Sequence, residues 1–284
     1  MSAGTIRIGV VAPGGRIEPV LTEKLTALAQ ARFKDRVALF FHPQCFLSSG
    51  HFAGNDEARA EAFLDIANDA KFDALWFARG GYGSARLAAR VLAGLNDAAR
   101  QKTYLGYSDA GSMLAALYTR GFENLAHGPM AADLNRDGGE QAVTRALAYL
   151  IDRAPESLEP SVTSGRPTAA FNIMILSHLI GTPLQPDLTG HVLMLEEVGE
   201  YMYRIDRSLQ HIVSNADVRK AAGIRLGRWG PIPPNDPDFG QTEEDVIKHW
   251  CAVSGIPYLG RADIGHDVHN KVVPFGVFRP RVAA

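Results

Sequence analysis

The sequence predicts an α/β fold in two parts: an N-terminal parallel sheet flanked by helices, of the nucleophile-elbow type, and a smaller C-terminal α/β or β-rich domain. Three observations carry this. In the first half, short β-rich runs alternate with helix-length amphipathic stretches, and the strands stop at turns rich in glycine or serine, as parallel strands joined by crossover helices require. Between Asp152 and Pro167 the pattern breaks into a stretch holding Pro155, Pro160 and Pro167 together with Ser, Thr and Gly. Beyond it, the βα alternation weakens.

The first strand, Ile6 to Val11, ends at the turn Ala12-Pro13-Gly14-Gly15. A helix from about Pro19 to Phe33 follows, then a strand at Val37 to Phe41 and a helix from about Asp56 to Ala70. The compact apolar run Ala74 to Phe77 stops at Arg79-Gly80-Gly81 and leads into a helix from Ser84 to Leu95. A strand at Thr103 to Tyr107 and a helix from Asp109 to Arg120 extend the series. These assignments give an N-terminal domain over 1–151, a linker over 152–167 and a C-terminal domain over 168–284. In the last, His191 to Leu195 reads as a strand, Ile205 to Ser214 as a helix and Arg228 to Gly240 as a proline-rich loop. A helix from about Thr242 to Val253 and strands at Ile256 to Leu259 and Val272 to Val277 complete the chain, which shows no internal repeat.

With 284 residues, 46% of them hydrophobic and 21% charged, the chain can bury a large core and has no disordered tract. Lys and Arg number 29 against 31 Asp and Glu, a net charge of −2, which excludes a nucleic-acid footprint or a basic membrane-binding surface from the totals. A small molecule or a second copy of the chain is the expected partner. The two cysteines, Cys45 and Cys251, form no CxxC pair, against a disulfide scaffold or a cysteine zinc site. No run reaches the roughly 18 to 20 apolar residues of a membrane span, and the N-terminus carries no leader pattern. A cytoplasmic address is expected.

The most informative segment is Tyr104-Leu105-Gly106-Tyr107-Ser108-Asp109-Ala110-Gly111, where a strand pattern stops at a serine and a helix pattern starts. A serine at a tight strand-to-helix turn is exposed beside a helix N-terminus whose free N–H groups stabilise negative charge. The competing reading is that Ser108 or Asp109 simply caps the helix. A nucleophilic serine needs a base and a group that orients it. Of nine histidines, His266 lies in a loop between strand candidates and is followed by polar residues, though a surface histidine would look the same. His266 and His269 have no Glu or Cys at ligand spacing, so no metal is expected. The strand running from Val192 ends in Glu196 and Glu197, and carboxylates at a buried strand end are costly unless paired or used. Strand alternation puts the two on opposite faces and leaves both open. The cluster Arg79-Gly80-Gly81-Tyr82-Gly83-Ser84 follows a strand and opens a helix without matching a nucleotide motif. Its backbone amides near Gly81, with the amide of Asp109, are suited to an oxyanion hole.

Six segments in order resemble the LD-carboxypeptidase family of serine peptidases. They are Ala78 to Gly83, Gly106 to Asp109, His127 to Met130, Leu193 to Glu200, Tyr203 to Arg207, and Gly265-His266. The resemblance implies Ser108 as nucleophile, Glu196 as the orienting acid and His266 as the base, with Glu197 standing where the family carries Asp. The chain departs from the family's Gly-Gly-Asn-Leu at Ala170-Phe171-Asn172-Ile173, where Phe171 adds bulk. Arg79, Phe171, Asn172 and Arg204 are the substrate-binding candidates, the two arginines for a free carboxylate. By resemblance the substrate is a peptide or muropeptide, cut at an L,D-bond to release C-terminal D-alanine in peptidoglycan recycling, by a homodimer that needs no metal or organic cofactor. The alternatives are the microcin-immunity branch, which hydrolyses peptidyl-nucleotides and in which Phe171 could stack on a base or equally be core, and a non-catalytic two-domain α/β ligand-binding protein.

Overall fold

A computed structural model describes residues 4–162 and 165–280. The first half runs β1 (Ile6–Val11), α1 (Pro19–Phe33), β2 (Val37–Phe41), α2 (Asp56–Asn68), β3 (Ala74–Phe77), α3 (Ser84–Gly94), α4 (Asp97–Arg100), β4 (Thr103–Gly106), α5 (Ala110–Tyr118), β5 (Leu125–His127) and α6 (Gly139–Asp152). The second runs β6 (Thr168–Asn172), α7 (Ile173–Leu179), β7 (Val192–Glu197), α8 (Met202–Ser214), β8 (Gly223–Trp229), α9 (Glu243–Ser254), β9 (Tyr258–Arg261) and β10 (Val273–Pro274). The strands make two sheets, in the orders β10-β5-β4-β3-β1-β2 and β6-β7-β8-β9. Among the described residues every pairing of these strands is parallel except β10 with β5. Among the described residues no helix is long and apolar enough to cross a membrane.

Strand β3 shows why the first sheet is covered on both faces. Leu75 and Phe77 pack on one side with Phe63 of α2, Leu87 of α3 and Leu114 of α5, while Ala74 and Trp76 pack on the other with Leu21 of α1 and Leu147 of α6. Successive side chains alternate, so a strand buried on both faces reads as a continuous apolar run. The core under α5 continues through Phe171, Leu176, Leu193 and Leu195 into the second sheet.

Beyond residue 167 the alternation is regular, against the weakening expected from the sequence: the second sheet is a βαβαβαβ series in chain order. Strands β6 (Thr-Ala-Ala-Phe-Asn) and β8 (Gly-Ile-Arg-Leu-Gly-Arg-Trp) carry few β-branched residues. The glycines of β8 answer to packing. A Cβ at Gly223 would lie 2.5 Å from Leu259, and one at Gly227 would lie 2.8 Å from Ile264 and 2.9 Å from the Glu196 Cβ. Arg228 and Trp229, expected in the proline-rich loop, are the end of β8. The strand expected over Val272 to Val277 is reduced to Val273–Pro274 and pairs with the first sheet, Val273 opposite His127. In the stretch 152–167, residues 163–164 lie outside the described residues. Ser157 and Glu159 are buried there, and Leu158 bridges to Val272.

In the first sheet the chain steps from β1 to β2 on one side and to β3 on the other. The loops after β1 and β3 therefore diverge at the carboxyl ends of the strands, the place where open α/β sheets hold ligands.

Candidate active site

At that end of the sheet, β4 stops at Gly106, where a Cβ would strike the Phe77 ring at 2.7 Å. The chain then turns through Ser108 at φ 60° before α5 begins. A left-handed conformation costs a residue with a Cβ about 1–2 kcal/mol. The serine does not cap α5: its N-cap is Asp109, and no side-chain hydrogen bond closes that end. The loop after β3 crosses directly over the serine. A Cβ at Gly80 would sit 3.1 Å from both Cβ and Oγ of Ser108, closer than an ordinary van der Waals contact, so a larger residue would push against the serine.

The buried carboxylate of Asp109 holds this loop in place. It accepts from the Gly83 N–H (3.2 Å), the Ser84 N–H (2.9 Å) and the Ser84 hydroxyl (2.6 Å), closing the N-terminus of α3. Beneath the loop lies Arg59, fully buried on α2, which donates to the carbonyls of Pro13 and Gly83 and pairs with Asp56. Gly81 is also left-handed, at φ 105°. Among the described residues neither the Gly81 nor the Asp109 backbone N–H donates to another backbone group.

The two glutamates ending β7 are both buried and do different things. The β7–β8 register shifts there, so that Gly227 and Arg228 stand opposite Glu196 alone, a bulge beside the acid. Glu196 Oε2 accepts from His266 Nδ1. Glu197 instead accepts from Asn172 Nδ2 (2.6 Å), the Val198 N–H (2.9 Å) and the Met174 N–H (2.9 Å), tying β6 and the start of α7 to β7. Burial pushes the Glu197 carboxyl up to about 7, against the pull of those donors. Glu197→Ala is expected to cost about 2–3 kcal/mol in urea denaturation by orphaning buried N–H groups, with kcat falling less than about tenfold because the His266 contact belongs to Glu196.

Burial alone would lower the pKa of His266, but the charge of Glu196 and its hydrogen bond outweigh it and leave the imidazole above 6.5. The Tyr107 ring lies 4.8 Å from that of His266, and its hydroxyl donates to Asp133 Oδ1 at 2.9 Å. The loop bearing His266 is fixed through Asn270, whose Oδ1 accepts from the Gly265 N–H and from His127 Nε2, both at 3.3 Å. Burial lowers the His127 pKa to about 4, so it is neutral there.

Ser108 and His266 line one cavity of about 350 Å³ together with Arg79, Gly81, Met130 and Arg136. A larger groove of about 1280 Å³ between α1 and α6 contains neither Ser108 nor His266. Among the described residues no hydrogen bond joins Ser108 to His266 (the two meet only as cavity walls). Such bonds are commonly long before substrate binds. Among the described residues no group of three or more His, Cys, Asp or Glu could hold a metal ion.

Residues 8–128 match the LD-carboxypeptidase N-terminal domain, and residues 167–279 match the LD-carboxypeptidase C-terminal domain. The chain belongs to the LD-carboxypeptidase family. The murein tetrapeptide carboxypeptidase of Pseudomonas aeruginosa is 27% identical over 246 residues, covering 80% of this chain and 78% of the relative. The muramoyltetrapeptide carboxypeptidase of Oxalobacter formigenes has the same fold, with a TM-score of 0.77 at 23% identity over 94% of this chain and 93% of its own. The microcin self-immunity protein MccF also superposes with a TM-score of 0.77, at 16% identity over 97% of this chain and 92% of its own.

In this LD-carboxypeptidase family member the remaining candidates separate. Arg79 and Gly81 line the cavity. Phe171 does not: it is 1% exposed and edge-on to Phe275 at 5.1 Å, and a Cβ at Gly111 of α5 would meet its ring at 3.6 Å, so it cannot stack on a ligand. The bulk that replaces the family's glycine fills the core between α5 and β6. Asn172 is spent on structure, its Oδ1 capping α7 at the Ile175 N–H and its Nδ2 bonding Glu197. Arg204 sits exposed on α8, paired with Glu200 at 3.4 Å and lying over the rings of Tyr201 and Tyr203, away from the cavity. Sequence reasoning missed Asp133, Asn135 and Arg136, which line the cavity just past the His127 to Met130 segment.

Proposed function

We propose that this chain is a serine carboxypeptidase that hydrolyses the L,D-peptide bond of a peptidoglycan tetrapeptide stem and releases D-alanine. The observation that carries this reading is the His266 imidazole, backed by the buried Glu196 carboxylate and lining the same cavity as a serine held in a strained turn. With Nδ1 of His266 committed to Glu196, Nε2 is the nitrogen left to take a proton. Ser108 Oγ would attack the carbonyl carbon before the terminal residue while its proton passes to Nε2. The Gly81 and Asp109 amides would receive the oxyanion. Collapse of the tetrahedral adduct breaks the C–N bond, and His266 returns the proton to the leaving amine of D-alanine. Water, deprotonated by the same imidazole, then cleaves the acyl-enzyme ester and restores Ser108.

The names of the relatives support murein peptides as the substrate class. Burial of Phe171 removes the base-stacking role that the peptidyl-nucleotide reading offered it, while MccF shares the fold with the same TM-score as the muramoyltetrapeptide carboxypeptidase, so the substrate class is put to a direct test. The test is to incubate the purified protein with an L,D-linked tetrapeptide stem and with a peptidyl-adenylate analogue and to measure free D-alanine and free nucleotide. D-Alanine from the first and no cleavage of the second is the expected result; the converse overturns the substrate assignment.

A further inference from the structure

An exopeptidase must read a free carboxylate, and that group lies close to the chemistry: the carboxylate carbon of a terminal residue is about 2.5 Å from the amide nitrogen that leaves. Its receptor must therefore share the cavity of Ser108 and His266. Among the described residues two guanidiniums do so, those of Arg79 and Arg136, with Asp133 as the acid beside them. Their groups differ in how firmly they are held. Arg79 is exposed, and among the described residues its one hydrogen bond is a long contact, 3.5 Å, to the Arg16 carbonyl.

Arg136 is braced. Its Nε donates to Asp133 Oδ1 at 2.8 Å and its Nη2 approaches the Tyr107 hydroxyl at 3.5 Å. Asp133 is itself fixed by the Tyr107 hydroxyl at 2.9 Å and by the Met130 N–H at 2.8 Å. Asp133 thus neutralises one guanidinium and orients it, which leaves the charge of Arg79 in excess at the cavity. Nη1 of Arg136 has no protein acceptor among the described residues, and the side chain is 43% exposed. A planar fork anchored along one edge offers the other to a carboxylate without losing further rotamer freedom. Met130 and Ala132 give the same cavity an apolar wall suited to a methyl side chain.

Resting on the carboxypeptidase reading, we infer that Arg136 binds the free C-terminal carboxylate of the substrate, and that the Tyr107–Asp133 pair holds it in register with His266. Arg136 takes the role that the sequence offered to Arg79 and Arg204.

The test separates this from the catalytic reading by measuring binding on a Ser108→Ala background, where no turnover occurs. Calorimetry compares a tetrapeptide ending in D-alanine with the same peptide ending in D-alanine carboxamide. The acid should bind about 30- to 100-fold tighter, as loss of a charge-assisted pair of hydrogen bonds implies. Adding Arg136→Ala should reduce that ratio to near unity with the carboxamide affinity unchanged, and Arg136→Lys, which keeps the charge but not the fork, should retain part of it. Thermal melts of each variant report folding, and Arg136→Lys carries the test if the alanine variant unfolds. Equal binding of acid and carboxamide on the Ser108→Ala background overturns the inference, as does no binding of either. So does a preference that survives Arg136→Ala or is abolished instead by Arg79→Ala. A preference that depends on Arg136 in a protein that releases no D-alanine supports the inference and sinks the catalytic reading alone.

Discussion

Ser108→Ala should lower kcat for D-alanine release by about 10⁴- to 10⁶-fold while leaving the affinity for the tetrapeptide within a few-fold, because only the attacking oxygen is lost. Gly80 fixes how close the loop comes to this residue, and an alanine Cβ occupies the place of the serine Cβ, so the cavity keeps its shape. A second substitution separates the chemistry from the fold. Ser108→Gly removes the oxygen and also the Cβ that makes φ 60° unfavourable. It should be equally inactive yet more stable than wild type by about 1 kcal/mol in urea denaturation, less the entropy that glycine adds to the unfolded chain. A helix-capping serine predicts the reverse, with stability lost and turnover, if any, kept. Equal D-alanine release by wild type and Ser108→Ala would remove the serine from the mechanism.

The elbow was legible in the sequence because its physics is local. A strand pattern that stops at a serine between small residues and restarts as a helix leaves few backbone paths, and the first sheet's buried strands announce themselves as unbroken apolar runs. The second sheet was harder to read because its strands answer to neighbours far along the chain. Gly223 and Gly227 weaken the strand pattern of β8, yet each is small because Leu259, Ile264 or Glu196 comes within 3 Å of where its Cβ would be. The same holds at the cavity. Which of Glu196 and Glu197 meets His266 depends on the β7–β8 bulge and on Asn172 claiming Glu197, neither of which strand alternation encodes. Phe171 was conspicuous as a departure from a motif, but a motif position does not say whether a side chain faces solvent or core. Arg136 had no motif to mark it; the signal available was an Asp and an Arg three residues apart, in a turn after the His127 to Met130 segment.

Glu196→Gln is expected to lower kcat by about 10⁴-fold with the fold intact, because the amide is isosteric but can neither stabilise an imidazolium nor enforce the tautomer that leaves Nε2 free. The pH profile makes the cause visible. His266 must be neutral to accept the serine proton, so kcat/KM should fall as the pH drops through its pKa, which the charge of Glu196 and its hydrogen bond hold above 6.5 against the opposing effect of burial. Taking the charge away leaves burial as the main influence, and burial disfavours the imidazolium. The residual activity of Glu196→Gln should therefore show its acid limb at lower pH than wild type, a slower enzyme that tolerates acid better. Glu197→Gln should leave that limb nearly where it was, since Glu197 reaches His266 only through its more distant charge while its hydrogen bonds go to Asn172, Met174 and Val198. A limb that moves down in Glu197→Gln and stays in Glu196→Gln would make Glu197 the acid that governs the base. A limb unmoved by either substitution would mean that a group other than His266 sets the pH dependence.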